Sequence, residues 1–224
     1  MRNRVIIFTN GNLSDFSQVK KIIKKTDFII AADGGANHLE KLELKPNVVI
    51  GDMDSIDKKL LKKYKSIKYP RKKDKTDFEL AINYCLEKKF KEIIIFGILG
   101  DRIDHLLANI FLIARTQNTL LRPDYAKATS GKQGFGGQVK IIEGKKEIFI
   151  LNKEIMIHGK IGDEISIIPV SEKLEGVTTE GLYYRLINNT LTFGSTRGVS
   201  NIMNKNVAKI ILKKGVALVE LNHT

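Results

Sequence analysis

The sequence is short of cysteine, of acidic charge and of long apolar runs, and each shortage excludes something. The single cysteine, Cys85, cannot close an internal disulfide. It sits in a helical pattern beside Leu80, Ala81 and Leu86, which favours a small buried apolar role over a nucleophilic one. No apolar stretch approaches the roughly 20 residues that cross a bilayer; the longest, such as Glu92 to Leu99, have strand length. The amino terminus, Met1-Arg2-Asn3-Arg4, runs straight into an apolar segment without the h-region of a signal peptide. A cytoplasmic protein with no membrane partner is therefore expected. No Gly-x-x-x-x-Gly-Lys-Ser/Thr loop occurs, and Asp33-Gly34-Gly35-Ala36 lacks the full dinucleotide fingerprint. Any phosphate chemistry must be organised in another way.

The shortage of acid leaves a formal charge of +13, which raises the question of a nucleic-acid partner. The lysines, however, are spread over nearly every segment, and Arg71-Lys72-Lys73 is the one compact basic run, read as a solvated loop. No nucleic-acid partner is expected. With 224 residues, 42% of them hydrophobic and 28% charged, the chain is long enough for one large domain or two small ones.

What is present falls into two halves. From Arg4 to about Leu121, strand-length apolar runs alternate with helical patterns, and their two-sided hydrophobicity predicts a mostly parallel sheet covered by helices. Strands are expected at 4–9, 28–32, 48–50 and 92–96, with helices near 17–25, after Asn37, from Ser55, and over 104–116. Residues 122–138 hold the glycine-rich Ser130 to Gly137 and read as a long loop or linker. From 139 to 224, short β-rich runs at 139–142, 147–151, 164–168, 182–187, 207–212 and 216–221 predict an all-β sandwich. The expected domains are thus α/β over 1–121 and β-sandwich over 139–224.

In an open parallel sheet, ligands bind at the carboxyl ends of strands, so the residues after each apolar run are informative. They are Asn10-Gly11, Asp33-Gly34-Gly35, Gly51-Asp52-Met53-Asp54-Ser55 and Gly97 to His105, and all four should gather on one edge. Asp52 and Asp54 repel each other unless a cation lies between them, which suits Mg2+ with its oxygen ligands and phosphate partners. Equally, Asp54 or Ser55 could cap a helix. Thr76 and Glu79 have capping-box spacing and Asp77 suits a first helical turn, yet Asp74 and Asp77 could also complete an oxygen shell. Arg102 offers a planar fork for phosphate oxygens. Asp104 could fix Arg102, cap the helix or reach a substrate, and His105 reads first as a structural residue.

In order along the chain, these segments resemble the thiamine pyrophosphokinase family. The resemblance is carried by Ala32 to Ala36, Gly51 to Ser55, Asp74 to Asp77, Gly100 to His105, Val177 to Tyr184 and Ser195 to Asn201. It implies an α/β domain that binds Mg-ATP, a carboxy-terminal sandwich that binds thiamine and dimerises, and transfer of a diphosphoryl group from ATP to the thiamine hydroxyl, leaving AMP. A homodimer with thiamine at the subunit interface is the implied assembly. The implied metal ligands are Asp52, Asp54 and Asp77, and the implied catalytic residues are Asp77, Arg102 and Asp104. ATP would meet Asp33, Gly34, Gly35, Asp52, Asp54, Ser55, Thr76 and Arg102, while thiamine would meet Asp104, Tyr184, Ser200 and Asn201. With tryptophan absent, Tyr184 must supply the stacking face. A Mg-dependent phosphohydrolase with Asp52 as nucleophile is the competing enzyme reading.

Overall fold

The computed structural model describes residues 3–120 and 138–224. The chain divides into two compact units, Met1–Gly144 and Lys145–Thr224. The first contains β1 (Arg4–Phe8), α1 (Phe16–Ile22), β2 (Phe28–Ala32), α2 (Gly35–Lys41), β3 (Val48–Gly51) and α3 (Lys58–Leu61). It continues with β4 (Ser66–Lys68), α4 (Asp77–Glu87), β5 (Glu92–Phe96), α5 (Ile103–Leu120) and β6 (Gln138–Glu143). Its strands lie in the order β6-β5-β1-β2-β3-β4, and every pairing is parallel.

The central strands are built from residues that suit burial on both faces. Val5, Ile6, Ile7 and Phe8 of β1 are all fully buried, as are Ile93 and Ile95 of β5. Phe8 and Phe96 stack across the β1–β5 pair with centroids 5.3 Å apart. Helix α1 begins where the Asp15 carboxylate accepts from the Gln18 amide, and α4 where the Thr76 hydroxyl accepts from the Glu79 amide. Cys85 is completely buried on α4, and burial pushes its thiol far up from the ordinary range, as the apolar reading requires.

The second unit is antiparallel throughout. Its strands are β7 (Lys146–Leu151), β8 (Glu154–His158), β9 (Glu164–Pro169), β10 (Lys173–Glu180), β11 (Asn189–Thr192), β12 (Asn201–Ile202), β13 (Val207–Ile211) and β14 (Ala217–Asn222). One layer runs β12-β9-β14-β7 and the other β11-β10-β13-β8. Inward residues of both layers, among them Ile165, Ile167, Leu174, Val177, Ile210 and Val219, share one buried core.

The expected α/β domain and sandwich are therefore both present, with local differences. The run 139–142, assigned by sequence to the sandwich, is β6 and pairs in parallel with β5 in the first unit, because Val139, Ile141 and Ile142 find buried positions there. The stretch expected as a linker lies outside the described residues, except for Gln138. No helix starts at Ser55: Asp57 caps the short α3 through the Lys59 amide. The run 182–187 is no strand beyond the Leu182–Met203 bridge. There the backbone amides of Tyr184 and Leu186 bond to side chains, Asn201 Oδ1 and Thr179 Oγ1, in place of a ladder. Strands β4, β8, β10, β11 and β12 escaped the sequence reading; β10 shows why, since it carries Gly176 and a polar Thr178-Thr179-Glu180 end. Among the described residues no helix is long and apolar enough to cross a membrane.

Candidate active site

Strands β2, β3 and β4 leave β1 on one side, while β5 and β6 lie on the other. The chain direction through the sheet thus switches between β1 and β5, where open α/β sheets form a crevice at their carboxyl ends. A cleft of about 650 Å³ lies there, lined by the loops after β1, β2, β3 and β5 and by the approach to α4. The loops after β1 and β5 meet backbone against backbone: the Gly11 amide donates to Gly97 O at 2.7 Å and the Asn12 amide to Leu99 O at 2.7 Å. At Gly35 a Cβ would come within 2.1 Å of Phe8 O, so glycine lets α2 start directly against β1.

The acidic residues meet around Gly51. A Cβ there would lie 3.0 Å from both Asp33 Cβ and Asp77 Oδ1, so these two residues flank the end of β3. Asp33, Asp52 and Asp54 each present a carboxylate oxygen, all within 4.8 Å of one another. The structure thus joins Asp33 to the expected Asp52 and Asp54, while Asp77 stands across Lys73 from Asp52. Asp33 and Met53 adopt left-handed backbone, with φ of 44° and 69°, conformations that non-glycine residues hold chiefly where surroundings impose them. The turn is stitched by the Asp54 amide to Asp52 Oδ1 at 3.2 Å, the Ser55 amide to Asp33 Oδ2 at 3.3 Å, and Ser55 Oγ to Asp54 Oδ1 at 3.0 Å. Ser55 therefore orders the acidic loop instead of capping a helix.

Two basic residues that the sequence reading left in a solvated loop enter this cluster. Lys73 Nζ lies 2.9 Å from Asp52 Oδ2 and 3.0 Å from Asp77 Oδ1, and Arg71 Nη2 lies 3.4 Å from Asp54 Oδ2. The available signal was Lys73 standing four residues before Asp77. Its hydrogen bond holds the Asp52 carboxyl below the usual range. Burial pushes the Asp77 carboxyl up, against the pull of Lys73. Burial also opposes the charge on Lys73, but Asp52 and Asp77 more than offset it and raise its pKa.

The other side of the cleft is formed by Gly100, Asp101, Arg102 and His105, with Thr76 and Asp77 opposite. Arg102 is bidentate to Asp104, through Nη2–Oδ2 at 2.6 Å and Nε–Oδ1 at 3.2 Å. Both side chains are exposed, and of the two only Arg102 lines the cleft; Asp104 orients it from behind. His38 was missed altogether. Its Nε2–H donates to Gly11 O at 2.8 Å, and burial lowers its pKa, so the neutral ring pins the loop after β1.

In the second unit, Tyr184 is 63% exposed and meets Tyr183 edge-on at 5.0 Å between centroids. Asn201 is buried, and its amide is spent on the Tyr184 backbone: Oδ1 accepts from Tyr184 N at 2.9 Å and Nδ2 donates to Tyr184 O at 2.7 Å. Asn201 thus sets the tyrosine in place. Ser200, in left-handed backbone with φ of 55°, donates its amide to Ser166 Oγ at 3.1 Å, leaving its own hydroxyl on an exposed turn.

Comparison with known proteins agrees with both halves. Residues 19–122 match the family model for the thiamin pyrophosphokinase catalytic domain, and residues 153–217 that for the thiamin pyrophosphokinase vitamin B1 binding domain. The thiamine pyrophosphokinase of Bacillus subtilis (strain 168) is 29% identical over 195 residues, covering 84% of this chain and 84% of that one. Thiamin pyrophosphokinase 1 of Caenorhabditis elegans is 24% identical over 238 residues, covering 96% of this chain and 87% of the relative. A crystal structure of thiamine pyrophosphokinase from Bacillus subtilis matches with a TM-score of 0.81 at 25% identity, covering 99% of each chain. The two domain models occur in order on one chain whose relatives match over most of its length, and the chain belongs to the thiamin pyrophosphokinase family.

Proposed function

We propose that this chain transfers the diphosphoryl group of Mg-ATP to the hydroxyl of thiamine, giving thiamine diphosphate and AMP, with the nucleotide bound in the cleft of the first unit. The observation that carries the reading is the meeting of Asp33, Asp52 and Asp54 at the ends of β2 and β3. Buried Asp33 Oδ1 lacks a hydrogen-bond partner and buried Asp77 Oδ1 has only its ion pair with Lys73, which is costly for carboxylates unless something else takes them up. A hard oxygen-seeking cation fits this donor set; Asp33, Asp52 and Asp54 would hold it, together with Asp77. When bound, Mg2+ neutralises charge on the phosphate oxygens.

The chain's own residues do the rest. Gly11 and Gly97 let the backbone approach the phosphates, and His38 keeps that loop still. Arg102, aimed by Asp104, offsets negative charge on the transferring group, and Thr76 fixes the start of α4 so that Asp77 faces the cleft. A carboxylate, Asp77 in the cleft or Asp104 next to Arg102, takes the hydroxyl proton. Tyr184, set by Asn201, offers a π face to the thiazolium cation beside Ser200. The active species is a cytoplasmic homodimer with thiamine at the subunit interface. Incubation with Mg-ATP and thiamine should yield AMP and thiamine diphosphate in equal amounts. Phosphate release that ignores thiamine, with a phospho-aspartate at Asp52, would instead identify a hydrolase.

A further inference from the structure

Lys73 holds a place in the acidic cluster that a monovalent cation fills badly. Its side chain is 12% exposed and bridges elements far apart in sequence, since Asp52 follows β3 and Asp77 opens α4. The ammonium donates to Asp52 Oδ2. Its 3.0 Å approach to Asp77 Oδ1 is an ion pair off-line for a hydrogen bond, and that oxygen is buried without a hydrogen bond. Asp33, itself only 7% exposed, has a second such oxygen. Four carboxylates, Asp33, Asp52, Asp54 and Asp77, meet here, and the ion pairs that reach them come from Lys73 and Arg71, so the cluster is short of positive charge. A divalent cation supplies that charge, and it offers ligand positions for oxygens that an ammonium leaves idle. Lys73 lies on the non-repetitive segment between β4 and α4, where a side chain can swing without breaking a backbone ladder, and it lines the same cleft as Arg102.

We propose that Lys73 is a place-holding cation: without metal it screens Asp52 from Asp77, and an arriving divalent ion displaces it onto the phosphates of the nucleotide. The proposal rests on the metal-nucleotide reading of the cleft. It makes Lys73 and metal antagonists before the nucleotide binds, and makes them partners afterwards. A merely structural lysine would not change sign in this way.

The test uses the full chain and Mn2+ as probe, with free ion followed by its electron paramagnetic resonance signal. Without nucleotide, Lys73→Met should bind Mn2+ about tenfold more tightly than the unaltered protein, and with Mn2+ present it should bind a nonhydrolysable ATP analogue about tenfold more weakly. Equal or weaker Mn2+ affinity in Lys73→Met overturns the place-holder while leaving the metal site intact. No Mn2+ bound to either protein overturns the metal reading and the proposal together. Should Lys73→Met misfold, lysine acylation of the unaltered protein decides. Lys73 should be protected without metal, several-fold more reactive with Mn2+ alone, and protected again when the analogue is added. Reactivity that does not respond to Mn2+ rules the proposal out.

Discussion

At the scale of single residues, the acidic site is held together against its own charge. On the proposed reading, Asp52→Asn or Asp54→Asn removes an oxygen that would hold the metal and relieves carboxylate repulsion at the same time. Each should lower AMP formation on the order of a hundredfold or more, while the thermal midpoint holds or rises. A normal rate in both variants would contradict the metal assignment, and a collapsed midpoint would make these residues structural. Tyr184→Ala should raise the KM for thiamine roughly tenfold with the KM for ATP unchanged, since it removes an exposed π face remote in sequence from the nucleotide loops. Parallel shifts in both constants would remove Tyr184 from the thiamine site. Asp52, Asp54 and Arg102 were legible in the sequence because each follows an apolar strand within a few residues. Asp33 as a member of the metal group, and Lys73 and His38 at all, were not. Their roles depend on contacts between separate loops, Lys73 with Asp52 and His38 with Gly11, and the one local signal was Lys73 standing four residues before Asp77.

At the scale of elements, most strands of the first unit could be read directly, because a run buried on both faces has a single signature. Helix α4 was legible through Thr76, whose hydroxyl does accept from the Glu79 amide; the Glu79 carboxylate turns instead to Arg115 at 2.9 Å. Thr76→Ala should cost about 1 kcal/mol in urea unfolding and should also lower turnover, since the first turn of α4 carries Asp77. Strand β6 was read correctly as a strand and misplaced, because Val139 to Ile142 looks alike beside a parallel or an antiparallel neighbour. In the second unit, Asp163 ties the end of the chain to the loop before β9. Burial alone would raise its pKa, but the Lys160 and Thr224 amides and His223 Nδ1 outweigh that and hold it at about 2. A carboxyl depressed in the folded state stabilises above its unfolded value and loses that contribution as pH falls toward the folded one. Between about pH 5 and pH 2 the protein should therefore lose about 2 kcal/mol of stability that Asp163→Asn does not lose. Denaturant titrations at several pH values read this directly, and parallel pH curves for the two proteins would disprove it.

At the scale of the whole molecule, charge and apolar surface point in different directions. The formal charge of +13 keeps like chains apart at low salt, yet the lysines that produce it are scattered and leave apolar patches uncovered. On α5, Ile103, Leu107 and Phe111 are 70%, 48% and 52% exposed at successive four-residue steps, which places them on one stripe of the helix. Single exposed apolar residues need no explanation, but a stripe in helical register beside a cleft does. The sandwich adds Tyr183, Ile187 and Phe193, each more than three-fifths exposed. A second copy of the chain is the partner that would cover such surfaces in the proposed homodimer, and salt should favour it by screening the net charge. Sedimentation equilibrium should give twice the chain's mass at micromolar concentration, with tighter association at higher ionic strength. Leu107→Glu should shift the equilibrium toward monomer and raise the thiamine KM while leaving the melting midpoint of the monomer intact, because the replaced side chain lies outside the core. A dimer unaffected by this change would move the interface away from α5, and a monomer at every concentration would mean that one chain alone must complete the thiamine site.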